Sequence, residues 1–168
     1  IILATAQGMA ICFNETDVRC MGRDAGGVRG ISLNEGDYVV GAERYEEGKT
    51  LLTVTENGYG KRTNLPEYLR TGPDGEKIPQ SRGGKGLKNY NITPKTGNIA
   101  GCRVVGDNDD VMLIENGGVI IRIPASSINV YKRDVQGVIV MRIDEGNKVV
   151  SIERVEQEEA GETQENPE

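Results

Sequence analysis

Leu51-Leu52-Thr53-Val54-Thr55-Glu56-Asn57-Gly58-Tyr59-Gly60-Lys61-Arg62-Thr63 consists of two β-prone runs, 51–55 and 59–63, joined at Asn57-Gly58. Asn-Gly supplies the positive φ that a tight hairpin turn demands, so the stretch predicts a β-hairpin. The same arrangement stands on either side. Runs 1–6 and 9–13 flank Gln7-Gly8, and runs 111–114 and 119–123 flank Asn116-Gly117-Gly118. Three hairpins of one grammar in one chain indicate an internal repeat.

The register extends beyond the hairpins. A shift of 110 residues lays Leu3, Gly8 and Ile11 over Leu113, Gly118 and Ile121 without a gap. It also lays Arg23-Asp24-Ala25-Gly26-Gly27-Val28 over Arg133-Asp134-Val135-Gln136-Gly137-Val138. A middle copy aligns Gly83-Gly84-Lys85-Gly86-Leu87 with Asp24-Ala25-Gly26-Gly27-Val28, once an insert at 71–79 is set aside. That insert contains Pro73-Asp74-Gly75, a turn signal, and predicts an exposed hairpin or flap.

After each hairpin come a glycine-rich or basic corner, a third strand (28–33, 87–92, 138–143) and a fourth (38–42, 99–105, 148–154). No helical periodicity longer than a turn is present. The prediction is an all-β, propeller-like array of three four-stranded blades, at 1–48, 49–108 and 109–155. Residues 156–168 contain six Glu and no Lys or Arg, with Ala160 as their one apolar side chain. Such a segment cannot bury enough surface to offset its ordering entropy and predicts a disordered acidic tail.

Composition removes several chemistries. The chain has no His, which takes away the usual general base and excludes Ser-His-Asp and Cys-His catalysis. Cys12, Cys20 and Cys102 have no CxxC spacing and read as small buried hydrophobes in a reducing compartment. Asp109-Asp110 reads as a solvated turn, not a metal site. Gly84-Lys85 runs into Gly86-Leu87 and a strand, not into the Ser/Thr and helix of a phosphate-binding P-loop. With no leader and no membrane-length apolar run, the chain reads as a cytosolic segment cut from something longer.

Charge is informative by its distribution. The net charge is −6, yet residues 51–106 hold nine Lys/Arg against four Asp/Glu, between acidic flanks. The densest basic stretch is Gln80-Ser81-Arg82-Gly83-Gly84-Lys85-Gly86, a loop of cations and glycines with no acid. Its glycines serve the corner turn first, and they let a backbone approach a ligand. Cations recur at equivalent places. Lys61, Arg62 and Arg122 lie on second strands, Arg23, Arg82, Lys132 and Arg133 lie at the corners, and Arg29 and Lys88 lie on third strands. In a curved array these positions share one rim, which fits a long polyanion. Only 4% of residues are aromatic, so stacking on single strands is disfavoured and the backbone of a duplex is the expected partner. The candidate residues for that contact, DNA-binding by the resemblance given next, are Lys61, Arg62, Arg82, Gly83, Gly84, Lys85, Lys88, Arg23, Arg29, Arg122, Lys132 and Arg133.

Residues 53–63 with Glu67-Tyr68, together with Gly27-Val28-Arg29-Gly30-Ile31-Ser32-Leu33 and Gly137-Val138-Ile139, resemble the C-terminal domain of the A-type subunit of bacterial DNA gyrase. Residues 80–86 resemble that family's signature heptapeptide, with Ser81 in place of a basic residue. The resemblance implies a β-pinwheel, normally of six blades with strands exchanged between neighbours, of which this chain is the C-terminal half. It implies DNA wrapping around the basic outer edge in support of ATP-dependent negative supercoiling. It also implies partnership with the rest of gyrase A and with gyrase B in an A2B2 holoenzyme, in the bacterial cytoplasm at the nucleoid. ATP and Mg2+ belong to that holoenzyme, no cofactor is expected in this segment, and no residue here is catalytic. Two alternatives stay open: the related domain of the topoisomerase IV A-type subunit, and a propeller-like protein-interaction module.

Overall fold

The structure is a computed structural model that describes residues 1–156. The expected disordered tail, Glu156 apart, lies outside the described residues. The first hairpin is β1 (Ile2–Thr5) and β2 (Met9–Cys12), followed by β3 (Val39–Glu43). The second is β4 (Thr50–Thr55) and β5 (Tyr59–Asn64). After it come β6 (Arg70–Thr71), β7 (Lys77–Ile78), β8 (Leu87–Lys88) and β9 (Ile99–Val105). The third is β10 (Asp110–Glu115) and β11 (Ile120–Pro124), followed by β12 (Val138–Ile139) and β13 (Val149–Val155). One-turn 3-10 helices lie between, and no α-helix occurs among the described residues. None of these helices is long and apolar enough to cross a membrane.

Each hairpin turn rests on a glycine with positive φ, at Gly8 (+91°), Gly58 (+82°) and Gly118 (+96°). β6 and β7 make the small exposed hairpin expected of the insert, closed by Gly75 N–H donating to the Gly72 carbonyl at 3.0 Å.

The sheets do not follow the repeat boundaries. One is ordered β3-β1-β2-β8, the next β12-β5-β4-β9, and the third β11-β10-β13. Each four-stranded sheet thus takes its outer strand from the following repeat: Leu87 pairs with Ala10, and Val138 with Gly60. This is the strand exchange of a β-pinwheel. The predicted third strands shrink accordingly. Only Leu87–Lys88 and Val138–Ile139 pair, because the chain then turns inward. The amides of Asn89 and Tyr90 both donate to Gly8 O, and those of Val140 and Met141 both donate to Gly58 O. Residues 28–33 form no strand: the hairpin before them, β1–β2, belongs to their own repeat, and its outer edge is taken by β8.

The core lies between the sheets. Ile2, Ala4, Ala10 and Cys12 of the first sheet meet Leu51, Cys102 and Val104 of the second, with Leu65 and Tyr68 closing the layer. Leu52 and Val54 meet Val111, Leu113, Val149 and Ile152 of the third. β4 is consequently buried at every residue, whereas β10 alternates between buried and half-buried, as a strand with one free face should. Cys12 and Cys102 are buried, and burial pushes the Cys102 thiol up to about 12. Cys20 departs from the expectation and is exposed. Asp109 is likewise not a solvated turn: it is buried and pairs with Arg154 Nε at 2.9 Å. At the inner ends, Arg103 of β9 lies between Glu43 of β3 (3.6 Å) and Glu153 of β13 (3.3 Å), so one cation of the basic middle is absorbed by packing.

Candidate nucleic-acid interface

The corner at residues 80–86 is held against the first sheet by its backbone. Gln80 N–H donates to Cys12 O at 2.7 Å, and Gln80 Nε2 donates to Tyr68 O at 2.9 Å. Gly83 N–H donates to Gly30 O at 2.8 Å, while Ser32 N–H and Oγ donate to the carbonyls of Gly84 and Gly83 at 2.9 and 2.8 Å. The Gly83 amide is therefore consumed by the fold and does not face an anion. Gly86 has φ +75°, and a Cβ on it would lie 2.2 Å from Ala10 O. Gly27 and Gly137, at the same place in their repeats, have φ +76° and +77°. All three turn with positive φ, and Gly86 and Gly137 do so while touching the neighbouring sheet's backbone, Gly137 at 2.5 Å from Gly60 O for an added Cβ. Gly84 is exposed.

Lys85 and Lys88 project into solvent from this corner and from edge strand β8, and Lys88 Nζ donates to Asn91 Oδ1 at 3.2 Å. Arg29, Arg23 and Lys132 are exposed as well. Arg82 is half-buried; its Nε donates to Asp17 O at 3.0 Å and its Nη1 to Arg29 O at 2.5 Å. Arg133 is half-buried, and its Nη1 donates to Lys88 O at 2.8 Å. None of the salt bridges among the described residues engages any of these seven cations. Their partners are neutral oxygens, so their charge is not cancelled. These contacts join Arg82 to Arg29, and Arg133 with its neighbour Lys132 to Lys88, a row of two linked pairs at the corners of the second and third repeats.

Three expected members do not belong to that row. Lys61 is fully buried; its Nζ donates to Lys132 O at 2.6 Å and to Arg133 O, and it sits 5.1 Å from the Tyr90 ring centroid. Arg62 is 6% exposed, donates from Nε to Ile128 O at 2.7 Å and pairs with Asp107 at 2.5 Å. Both are interior supports of the third repeat's corner. The repeat register carried a signal of this, because Lys61 stands in the column of Ile11 and Ile121. Arg122 is exposed, but it is paired with Asp110 at 2.8 Å, which offsets its charge. Lys95, not singled out in the sequence, is exposed and lies 5.6 Å from the Tyr59 ring centroid.

Burial lowers the Lys61 pKa from 10.5 to about 8, against the opposing pull of Asp134 and Glu67. The folded state therefore releases this proton near pH 8 and the unfolded state near pH 10.5. Between those values the unfolded state holds more protons, so stability rises with pH. Below pH 8 the cost of burying the charge is present in full. The stability difference between wild type and Lys61→Met should be flat below pH 8 and then shift in favour of wild type as pH rises towards 10.5, in urea titrations across that range. A difference independent of pH would show that Lys61 does not titrate in this window.

Gly84-Lys85 leads into the two-residue strand β8, with no helix N-terminus beyond it to hold a phosphate. Among the described residues no three His, Cys, Asp or Glu side chains converge for a metal ion.

Residues 1–45, 49–106 and 109–156 match the family model described as "DNA gyrase C-terminal domain, beta-propeller". The A-type subunit of DNA gyrase from Staphylococcus epidermidis is 41% identical over 161 residues, covering 95% of this chain and 17% of that protein. Its counterpart from Haloquadratum walsbyi is 39% identical over 155 residues, covering 91% of this chain and again 17% of the relative. A solved DNA gyrase A C-terminal domain superposes with a TM-score of 0.80 at 30% identity, covering 91% of this chain and 49% of that one. The C-terminal domain of DNA topoisomerase IV superposes with a TM-score of 0.81 at 28% identity, covering 92% and 46%. The chain thus spans about half of each solved domain and a small part of each full-length relative, and by repeat register, exchanged strands and sequence it belongs to the DNA gyrase C-terminal domain family.

Proposed function

We propose that the chain binds duplex DNA along the row Arg29, Arg82, Lys85, Lys88, Lys132 and Arg133, with Arg23 extending it, and bends the duplex around this row. The observation that carries the reading is that these cations gather at the repeat corners and that, among the described residues, none is neutralised by a carboxylate. Cations at this spacing bind by displacing counterions from phosphates, which makes affinity nearly independent of sequence and steeply dependent on salt. The relatives' name extends the reading. The segment would act within a gyrase, beside the remainder of gyrase A and beside gyrase B, guiding wrapped DNA for ATP-dependent negative supercoiling in the bacterial cytoplasm. ATP and Mg2+ would be held by those other segments, and this segment would contribute DNA geometry and no catalytic group.

Fluorescence anisotropy with a linear duplex, titrated from low to high salt, tests the binding. Affinity should fall with a log–log slope of about −0.9 for each phosphate engaged. An affinity unchanged by salt would overturn the electrostatic reading. Relaxing a plasmid with a type I topoisomerase in the presence of the chain tests the bending, through a change in linking number.

The equally close superposition on topoisomerase IV supports a second reading, in which the module selects DNA geometry for decatenation. Binding that prefers DNA crossings over a single bent duplex would favour it.

A further inference from the structure

Arg82 and Arg133 occupy one position of the repeat, and each reaches back to the same place in the repeat before it. Arg82 Nη1 donates to Arg29 O, and Arg133 Nη1 donates to Lys88 O at 2.8 Å. Arg29 and Lys88 are themselves equivalent, one residue beyond Val28 and Leu87. The surrounding contacts join the same positions, though not always through the same atoms. Arg82 Nε holds the Asp17 carbonyl at 3.0 Å, and the Arg133 amide donates to Glu67 Oε2 at 3.3 Å, where Glu67 is the counterpart of Asp17. Gln80 N–H meets Cys12 O at 2.7 Å, and Tyr131 N–H meets Arg62 O at 2.8 Å, again at matching positions. Two independent junctions in one molecule are thus built alike.

Resting on the DNA-binding reading above, we infer that Arg82 and Arg133 are positioning residues that set the relative placement of successive blades, and with it the path imposed on wrapped DNA. They do so through a main-chain carbonyl of the preceding repeat, that of Arg29 or that of Lys88 in β8. The geometry has a direct consequence at the rim. The carbonyl that Arg133 holds belongs to Lys88, so the clamp fixes the backbone from which a phosphate-facing lysine projects. The carbonyl that Arg82 holds does the same for Arg29. A planar guanidinium suits this task because it donates in fixed directions while keeping its charge, at Arg82 to two carbonyls at once, whereas an ammonium is a single point on a flexible stem.

The test separates clamp from charge. Arg82→Lys and Arg133→Lys keep the cation, and the linking-number shift is read with the duplex saturated, so that a change in affinity does not enter it. The linking-number shift per bound chain should fall about twofold or more for Arg82→Lys, since a lysine cannot hold both carbonyls in the directions of the guanidinium fork. Arg82→Gln removes charge and clamp together, and should reduce both the shift and the salt slope, the latter by about 0.9. Thermal melts are recorded for each variant, and Arg133→Lys probes the second junction independently of the first. Lysine variants that shift linking number like wild type would overturn the inference. A wild-type chain that binds but produces no linking shift would instead overturn the wrapping reading, and the inference with it.

Discussion

Gly58→Ala is expected to destabilise the protein by roughly 3–5 kcal/mol, while the same change at Gly118 costs only about 1–2 kcal/mol, the penalty for left-handed backbone in a residue with a Cβ. The two glycines hold one position of the hairpin, with φ +82° and +96°. They differ in what lies beyond. A Cβ on Gly58 would sit 2.0 Å from Met141 O, whereas nothing lies within 4 Å of one on Gly118. Relieving that clash moves the hairpin away from the following repeat and strains the bonds from Val140 and Met141 N–H to Gly58 O, each worth about 0.5–1.5 kcal/mol. Domains hold about 5–15 kcal/mol in total, so the loss is a large fraction of stability. In thermal melts it corresponds to a fall of roughly 6–20 °C for Gly58→Ala against about 2–8 °C for Gly118→Ala. Equal losses at the two sites would mean that the inter-blade contact at Gly58 contributes little.

Replacing Arg29, Lys85 and Lys88 together by Gln should remove most of the DNA affinity contributed by this corner while leaving the fold intact. All three side chains are exposed, so stability should move by no more than about 0.5 kcal/mol for each. The carbonyl of Arg29 that receives Arg82, and that of Lys88 that receives Arg133, are main-chain atoms and survive the substitutions. If each cation neutralises one phosphate, the log–log salt slope should become shallower by about 2.7, and the loss of affinity between roughly 50 and 200 mM salt should shrink by about 1.6 decades. The matched control is Lys61→Met with Arg62→Met. Both residues are buried, so this pair should lower stability without changing the salt slope of whatever remains folded. A slope altered by the buried pair, or unaltered by the exposed triple, would move the interface elsewhere on the molecule.

Much of the fold was legible because its decisive signals are local. Asn57-Gly58 and its two counterparts specify hairpins through φ alone, and β4, β5 and β9 lie where their β-prone runs lie. The insert closed as a hairpin because Pro73-Asp74-Gly75 encodes a turn without outside help. The third strands were less legible. Whether 28–33, 87–92 or 138–143 pairs is decided by which hairpin stands beside it, and that hairpin belongs to another repeat.

The candidate site divides along the same line. Lys85 and Lys88 were readable as rim cations, since a basic glycine corner free of acids projects its charges wherever it folds. Lys61 and Arg62 look equally basic in sequence, yet β5 lies in the middle sheet, packed against sheets on both sides, and no composition or spacing within 59–64 states that. Arg82 and Arg133 carry charge in the sequence; only the folded chain gives them a carbonyl of the preceding repeat to hold. Turn φ and ionisation are properties of one residue and its neighbours, so the hairpin, its threefold recurrence and the sign of the charge at each corner were set before any long-range contact formed. Which of those charges meet water and which meet buried carbonyls was set by folding. That partition depends on contacts between residues some fifty positions apart, as in the bond from Arg82 to Arg29, where |i−j| is 53.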